Sequence, residues 1–332
     1  MQNSSLLVGL AGILFGAGPI MLAVIGETIS ERAGIINLSM NGTILLSAMT
    51  GFAVAVSTGS ALLGFIAGSL VGAFVALIVA FSSITLHQSQ VAVGYVLTIL
   101  CLNLSYFLGH SLVGVPGPRI NVVPLPLLSQ IPIIGTIFFN QDVMTYLSYL
   151  AVILAWFWIY KTRPGLMLRG IGERPAAAYV RGANVNRLRY IYAMIGGAFA
   201  GLAGATFSLS VKAGWAGPLT GLDGYGWIVL AIAIFGGWNP TRAAFGVYLF
   251  AFLQWLGLVL QPYFPGIPTQ VLQVAPFPLM ILTLLLVNIS NAEWMDRSLA
   301  AMPERTRRFV MKLLRALRSS PPGGLGVPFE NE

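Results

Sequence analysis

Nine apolar runs divide the chain, at about residues 6–26, 38–57, 61–81, 91–109, 144–160, 190–211, 225–238, 242–262 and 272–289. A helix needs roughly 20 apolar residues to cross the hydrocarbon core of a bilayer. Most of the runs qualify; YGWIVLAIAIFGGW, 225–238, is short, and 144–160 is marginal. The chain is 57% hydrophobic and only 8% charged, where a soluble domain carries about 25% charged residues. It therefore reads as an all-α polytopic membrane protein of about 8–10 transmembrane helices, some short or broken. No Lys or Arg precedes the first run, so it lacks the positive n-region of a signal peptide and is read as a retained span.

The net charge of +8 falls mainly in two blocks, 161–189 and 297–318. With the N-terminus outside and every run crossing, 16 of the 18 Lys/Arg lie on the cytoplasmic side, leaving only Arg119 and Lys212 outside. The positive-inside rule favours this N-out, C-in arrangement over its mirror image. It also makes 225–238 a short or tilted crossing, because a re-entrant loop there would put the basic tail outside. Loops 27–37, 82–90 and 161–189 are then cytoplasmic. Loop 110–143 is external, and Pro116, Pro118, Pro124, Pro126 and Pro132 prevent a continuous helix in it. It is expected to fold as short pieces, either over the outer mouth or on the lipid interface. Two domains follow: a transmembrane domain over 1–290 and a cytoplasmic tail over 291–332. In the tail, ERTRRFVMKLLRALR reads as a basic amphipathic helix on membrane lipid, and SSPPGGLGVPFENE as disordered.

Several chemistries lack their residues. His87 and His110 have no Cys or carboxylate at ligand spacing, and Cys101 stands alone, so neither metal nor cofactor is expected. The basic blocks read as cytoplasmic loops, not as a nucleic-acid surface. All ten carboxylates fit in loops or at span ends, which argues against a self-sufficient proton-driven carrier. No G-x-S-x-G or H-E-x-x-H supports an intramembrane enzyme. No G-x-x-x-x-G-K-[ST] loop is present, so ATP energy would have to come from a partner protein.

Such a partner needs a handle, and GERPAAAYVRG, 172–182, has its features. Pro175 suits a first helical turn, Ala176, Ala177 and Ala178 favour helix, and Gly182 suits a left-handed C-terminal cap. A two-turn helix over roughly 175–181 would present a small, flat face. The alternative is an ordinary connector.

The same stretch resembles the coupling segment of ABC-importer permeases of the branched-chain amino acid/ribose/nucleoside family. Gly172, Glu173, Pro175, Ala177, Gly182 and Val185 fit the pattern G-E-N-P-x-A-A-x-x-x-G-I-x-V, while Arg174 replaces its Asn and Ala183 its Ile. GETISERAGIINLSMNG, 26–42, is similar to the G-E-x-x-x-E-R-x-G-x-I-N-x-x-x-E-G of the nucleoside-uptake branch, whose receptors are basic-membrane-protein-type lipoproteins. Asn41 stands where that branch has Glu. AIAIFGGWNPTRAAFG, 231–246, is similar to its I-F-G-x-W-N-P-x-x-A. The resemblance implies a permease subunit of a bacterial or archaeal ABC importer in the plasma (inner) membrane, paired with a second permease, as homo- or heterodimer. It also implies cytoplasmic ATPase subunits seated on Gly172, Glu173, Arg174, Pro175, Ala177 and Gly182, and an external solute-binding protein. The implied solute is a nucleoside, with a simple sugar or a branched-chain amino acid as alternatives.

A solute path through so apolar a chain needs polar groups in its spans. The candidates are Asn37, Ser39, Asn41, Gln90, Asn103 and Gln254, with Gln88 and Trp255 beside them. Amides donate and accept, which suits an uncharged solute. A break of the second span near Gly42 would free backbone groups as well. The alternative reading is that these residues join helices to one another. Gly197, Gly201 and Ala205 form a close-approach face, either between two permeases or within one.

Overall fold

The computed structural model describes residues 2–263, 278 and 320–329. The amphipathic helix expected over 304–318 lies outside the described residues, as does the ninth apolar run apart from Pro278. Eight helices among the described residues are long and apolar enough to cross a membrane. Their shared core gathers Met21, Ile44, Phe52, Val79, Ala203 and Val247.

The first helix, α1 (Gln2–Arg32), is longer than the apolar run that seeds it. Residues 27–32, expected in a loop, continue it, and Glu27, Thr28, Ser30 and Glu31 are buried in its last turns. The chain then breaks over 33–39, and α2 (Met40–Thr58) restarts it. The break thus precedes Met40 instead of falling near Gly42. A hairpin joins α2 to α3 (Ala61–Ile84), whose N-terminus the Ser60 hydroxyl caps. The helix α4 (Gln90–Leu108) starts at Ser89, which caps it in the same way.

The proline-rich segment 110–143 forms short pieces, as expected. These include a two-stranded antiparallel pair, β1 (Val123–Pro124) and β2 (Asn140–Gln141), and the one-turn α5 (Ile134–Phe138). Asp142 then caps α6 (Val143–Lys161), accepting from Thr145 N at 2.8 Å, and its other oxygen accepts from Ser210. This buried carboxylate is satisfied entirely by hydroxyl and amide donors.

Two helices occupy 161–189, where one was expected. In α7 (Arg163–Glu173), Thr162 caps the first turn and Pro164 sits inside it, while Leu168 and Ile171 are buried. Each such side chain is worth about 1.5–3 kcal/mol of burial. The second is α8 (Pro175–Val180).

The helix α9 (Val185–Thr206) is capped by Asn184 and runs into a π-turn over Phe207–Val211. It packs on α1, α2 and α3. Its small-residue face is an internal seam with α3: a Cβ on Gly72 would lie 2.1 Å from Gly197 O, and one on Gly201 would lie 2.1 Å from Gly68 O. Only hydrogen fits at such contacts, and dispersion between the closely apposed backbones replaces side-chain burial.

The run 225–238 yields α10 (Tyr225–Phe235), of 11 residues, which starts after left-handed Gly224. At 1.5 Å per residue it is far shorter than a bilayer core; with the 3₁₀ turn from Gly217 the span reaches 19 residues. Asn239 caps α11 (Pro240–Leu260).

The tail segment expected to be disordered is placed over 320–329, where it bends through a turn against α7, α8 and the 33–39 break. Its glycines let backbone N–H groups reach backbone carbonyls directly, an arrangement that composition alone does not reveal.

Candidate functional site

The three short stretches singled out in the sequence meet at one end of the bundle. Trp238 donates its indole N–H to Glu31, and its carbonyl accepts from Arg32 Nε at 2.6 Å. Arg32 also donates to the Tyr160 hydroxyl at 3.0 Å, and the Arg32 and Arg169 guanidinium groups lie 5.6 and 5.2 Å from the Tyr160 ring centre. Such stacking holds cations over an aromatic face. Gly172 completes the junction, since a Cβ there would lie 1.9 Å from Arg32 O. Residues 172–182 therefore rest, through Gly172, directly on the end of α1.

Beyond this junction the segment has the local form read from its residues. Pro175 opens α8. Gly182 has φ +89°, its N–H reaches Tyr179 O at 2.8 Å, and Ala183 N–H reaches Ala178 O at 3.0 Å. That pairing closes the helix and satisfies its last carbonyls. Glu173, Arg174, Ala177, Tyr179 and Val180 are exposed. A groove between α7 and α8 is lined by apolar Leu166, Met167, Ala177 and Ala178 together with Arg163 and Arg181.

The polar break lies behind this junction. Asn37 N–H faces Glu27 Oε1 at 3.4 Å, and Asn37 Oδ1 accepts from Ser39 N at 3.2 Å and from the Ser39 hydroxyl. Ser39 continues to Thr43 at 3.1 Å. Glu27 Oε2 and Asn37 Nδ2 are buried without a partner among the described residues. Gln90 clips the break to its neighbours: Oε1 accepts from Ile36 N at 2.8 Å, and Nε2 donates to Ser83 Oγ at 2.7 Å.

Asn41 faces a different neighbour. Its Oδ1 accepts from Gly224 N at 2.9 Å and Gly226 N at 3.2 Å, and its Nδ2 donates to Asp223 Oδ1 at 2.8 Å. It thereby caps the short α10, satisfying amides that a helix start leaves open. Tyr225 follows, with its ring edge-on to Phe207 at 5.0 Å and its hydroxyl 3.4 Å from Gln254 Nε2. Asn37, Ser39 and Gln90 thus form one cluster, and Asn41 and Gln254 border a second. Asn103 joins neither: it is exposed and bonds Ile99 O of its own helix. At Asn41 and Gln90 the geometry favours helix joining, since every amide atom is engaged.

Sequence reasoning missed Asp223, Arg189 and the role of Trp238. Trp238 stood inside a quoted stretch, but its φ of 55° and its reach to Glu31 are tertiary facts. Arg189 was counted only as cytoplasmic charge, yet it is 1% exposed.

Residues 9–287 match the family described as branched-chain amino acid transport system / permease component. The chain is similar to the putative glucose ABC transporter permease protein TsgC13 of Haloferax volcanii, at 38% identity over 74% of this chain and 78% of that one. It is similar to the guanosine ABC transporter permease protein NupQ of Bacillus subtilis, at 33% identity over 81% of this chain and 88% of that one. Against the nucleoside ABC transporter permease protein NupC of Lactococcus lactis the identity is 31%, over 85% and 93%. No solved structure matches the chain. With its membrane-spanning helices and this match over most of its length, the chain is a multi-pass membrane protein that belongs to the branched-chain amino acid-type permease family of ABC transport systems.

Proposed function

We propose that this permease carries a nucleoside inward, energised by ATPase subunits that dock on residues 172–182. Likeness to permeases named for guanosine and nucleoside, each over more than four-fifths of this chain, carries the solute reading. The second cluster is chemically suited to it. Asp223 and Gln254 offer acceptors and a donor beside the Tyr225 and Phe207 rings, and a base can stack on an aromatic face while hydrogen-bonding at its edge. The short α10 brings that cluster to a helix start within the bundle. The chain supplies no phosphate loop of its own, so hydrolysis falls to the partner. A second permease copy or paralogue and an external binding protein complete the assembly. The likeness to a permease named for glucose supports a sugar as the second reading.

The test is uptake by proteoliposomes holding the permease with its co-purified ATPase and binding protein. Labelled guanosine should accumulate with ATP and be displaced by other nucleosides. Accumulation of glucose in place of guanosine selects the second reading.

A further inference from the structure

The segment 320–329 is tied to four elements that lie at least 135 residues away in sequence: the end of α7, the break after α1, α8 and α9. Gly324 donates to Gly172 O at 2.7 Å, where α7 ends, and Gly323 N–H faces Glu173 Oε2 at 3.4 Å. Gly326 donates to Gly34 O at 3.0 Å, in the break after α1. The Phe329 ring meets Tyr179 of α8 at 5.6 Å between centres. Pro322 and Gly324 are buried.

One side chain organises these contacts. From α9, Arg189 donates Nε to Ala33 O at 3.1 Å, Nη1 to Val327 O at 2.8 Å and Nη2 to Gly324 O at 3.2 Å. All three acceptors are backbone carbonyls, and two belong to the segment. A buried guanidinium is tolerated only when it is hydrogen-bonded. The segment is therefore integral to the site that holds this charge.

We propose that residues 320–329 form a strap that transmits movement of the coupling segment 172–182 to the polar break 33–39, with Arg189 as the positioning residue. The proposal rests on the ATPase-docking reading above. The strap grips Gly172 at one point and Gly34 at another, and the break it grips leads into Asn37, Ser39 and α2. Ala177 and Val180 remain exposed, so the strap leaves the face of α8 open for a partner. Two segments pinned to one short peptide and one guanidinium move together, which is how a contiguous packed link carries coupling between sites.

The experiment uses the full chain with its co-purified ATPase and reads the break directly, without needing the solute. A single cysteine replaces Ile36, which is part-buried beside Gly326, in a Cys101→Ala background. Its labelling rate is compared with and without ATP plus vanadate. The unaltered strap should give a change of about fivefold or more, in the range of ordinary coupling energies. Arg189→Gln, Gly324→Leu and removal of 320–332 should each abolish that change while ATPase co-purification persists; Arg189→Lys should restore part of it. If Arg189→Gln fails to insert, Gly324→Leu decides, since its side chain would displace the strap from Gly172 and Pro175. An equal ATP response without the strap overturns the proposal, as does a full chain that shows no response. Loss of ATPase binding on strap removal also overturns it, by making the segment a docking element. Failure of any ATPase to co-purify with the unaltered chain is instead a failure of the ATPase-docking reading.

Discussion

Asn41 donates to Asp223 at 2.8 Å while its carbonyl oxygen accepts from the Gly224 amide at 2.9 Å, so one side chain joins the start of α2 to the start of α10. Replacing it by Leu leaves those amides unpaired in a buried contact, at about 1–3 kcal/mol for an unsatisfied group. Asn41→Leu should lower both thermal stability in detergent and transport. Asn41→Asp should be worse for transport, because two carboxylates then face each other. The swap Asn41→Asp with Asp223→Asn restores one donor and one carboxylate, and should recover most of the loss. A swap no better than Asn41→Asp alone would show that the pairing is not what the position needs.

The α3–α9 seam makes a packing prediction. Gly201→Val places carbon where the Gly68 carbonyl stands 2.1 Å away, and backbone cannot yield as a side chain can. Overpacking usually costs about 1–3 kcal/mol, and here it should prevent a monodisperse protein from forming. Gly12→Ala, which meets nothing within 4 Å, should be silent in the same size-exclusion assay. Equal behaviour of the two variants would remove the seam from the account.

Trp238 carries a third prediction. Trp238→Phe keeps the aromatic body but deletes the indole donor to Glu31, leaving a buried carboxylate oxygen short of a partner. Stability should fall by roughly 1–3 kcal/mol, read as a lower unfolding temperature. An unchanged unfolding temperature would mean that Glu31 finds its donor elsewhere.

Sidedness follows from the charge distribution. Cysteines placed at Val180 and Leu127, 86% and 81% exposed, should react with an impermeant reagent from opposite faces of sealed cells, 127 from outside. Reaction of both from one side would contradict the N-out, C-in arrangement.

The spans were legible because apolar length is a local property, and α8 because Pro175 and Gly182 are local signals. The end of α1 was not, since Glu27 and Glu31 look like loop residues until Trp238 and the break residues cover them. Gly197 and Gly201 announced a close contact, but only the fold assigns it to α3 and not to a second permease. The polar candidates were the least legible. Asn41 and Asn103 are chemically identical, yet one caps α10 and the other bonds its own helix. The strap's partner, Arg189, was indistinguishable from its basic neighbours because burial is decided by segments far away in sequence.

The central claim is that α8 is the point of attachment for an ATPase, and Ala177→Trp tests it most directly. Ala177 is exposed, and the spans do not depend on it, so the permease should still insert. A bulky ring on the flat alanine face should keep the helix from seating in a cleft. Co-purification of the ATPase, and solute-stimulated ATP hydrolysis in proteoliposomes, should both fall at least about tenfold, the equivalent of ~1.4 kcal/mol. Retention of both at the unaltered level would contradict the claim and leave residues 172–182 as a connector.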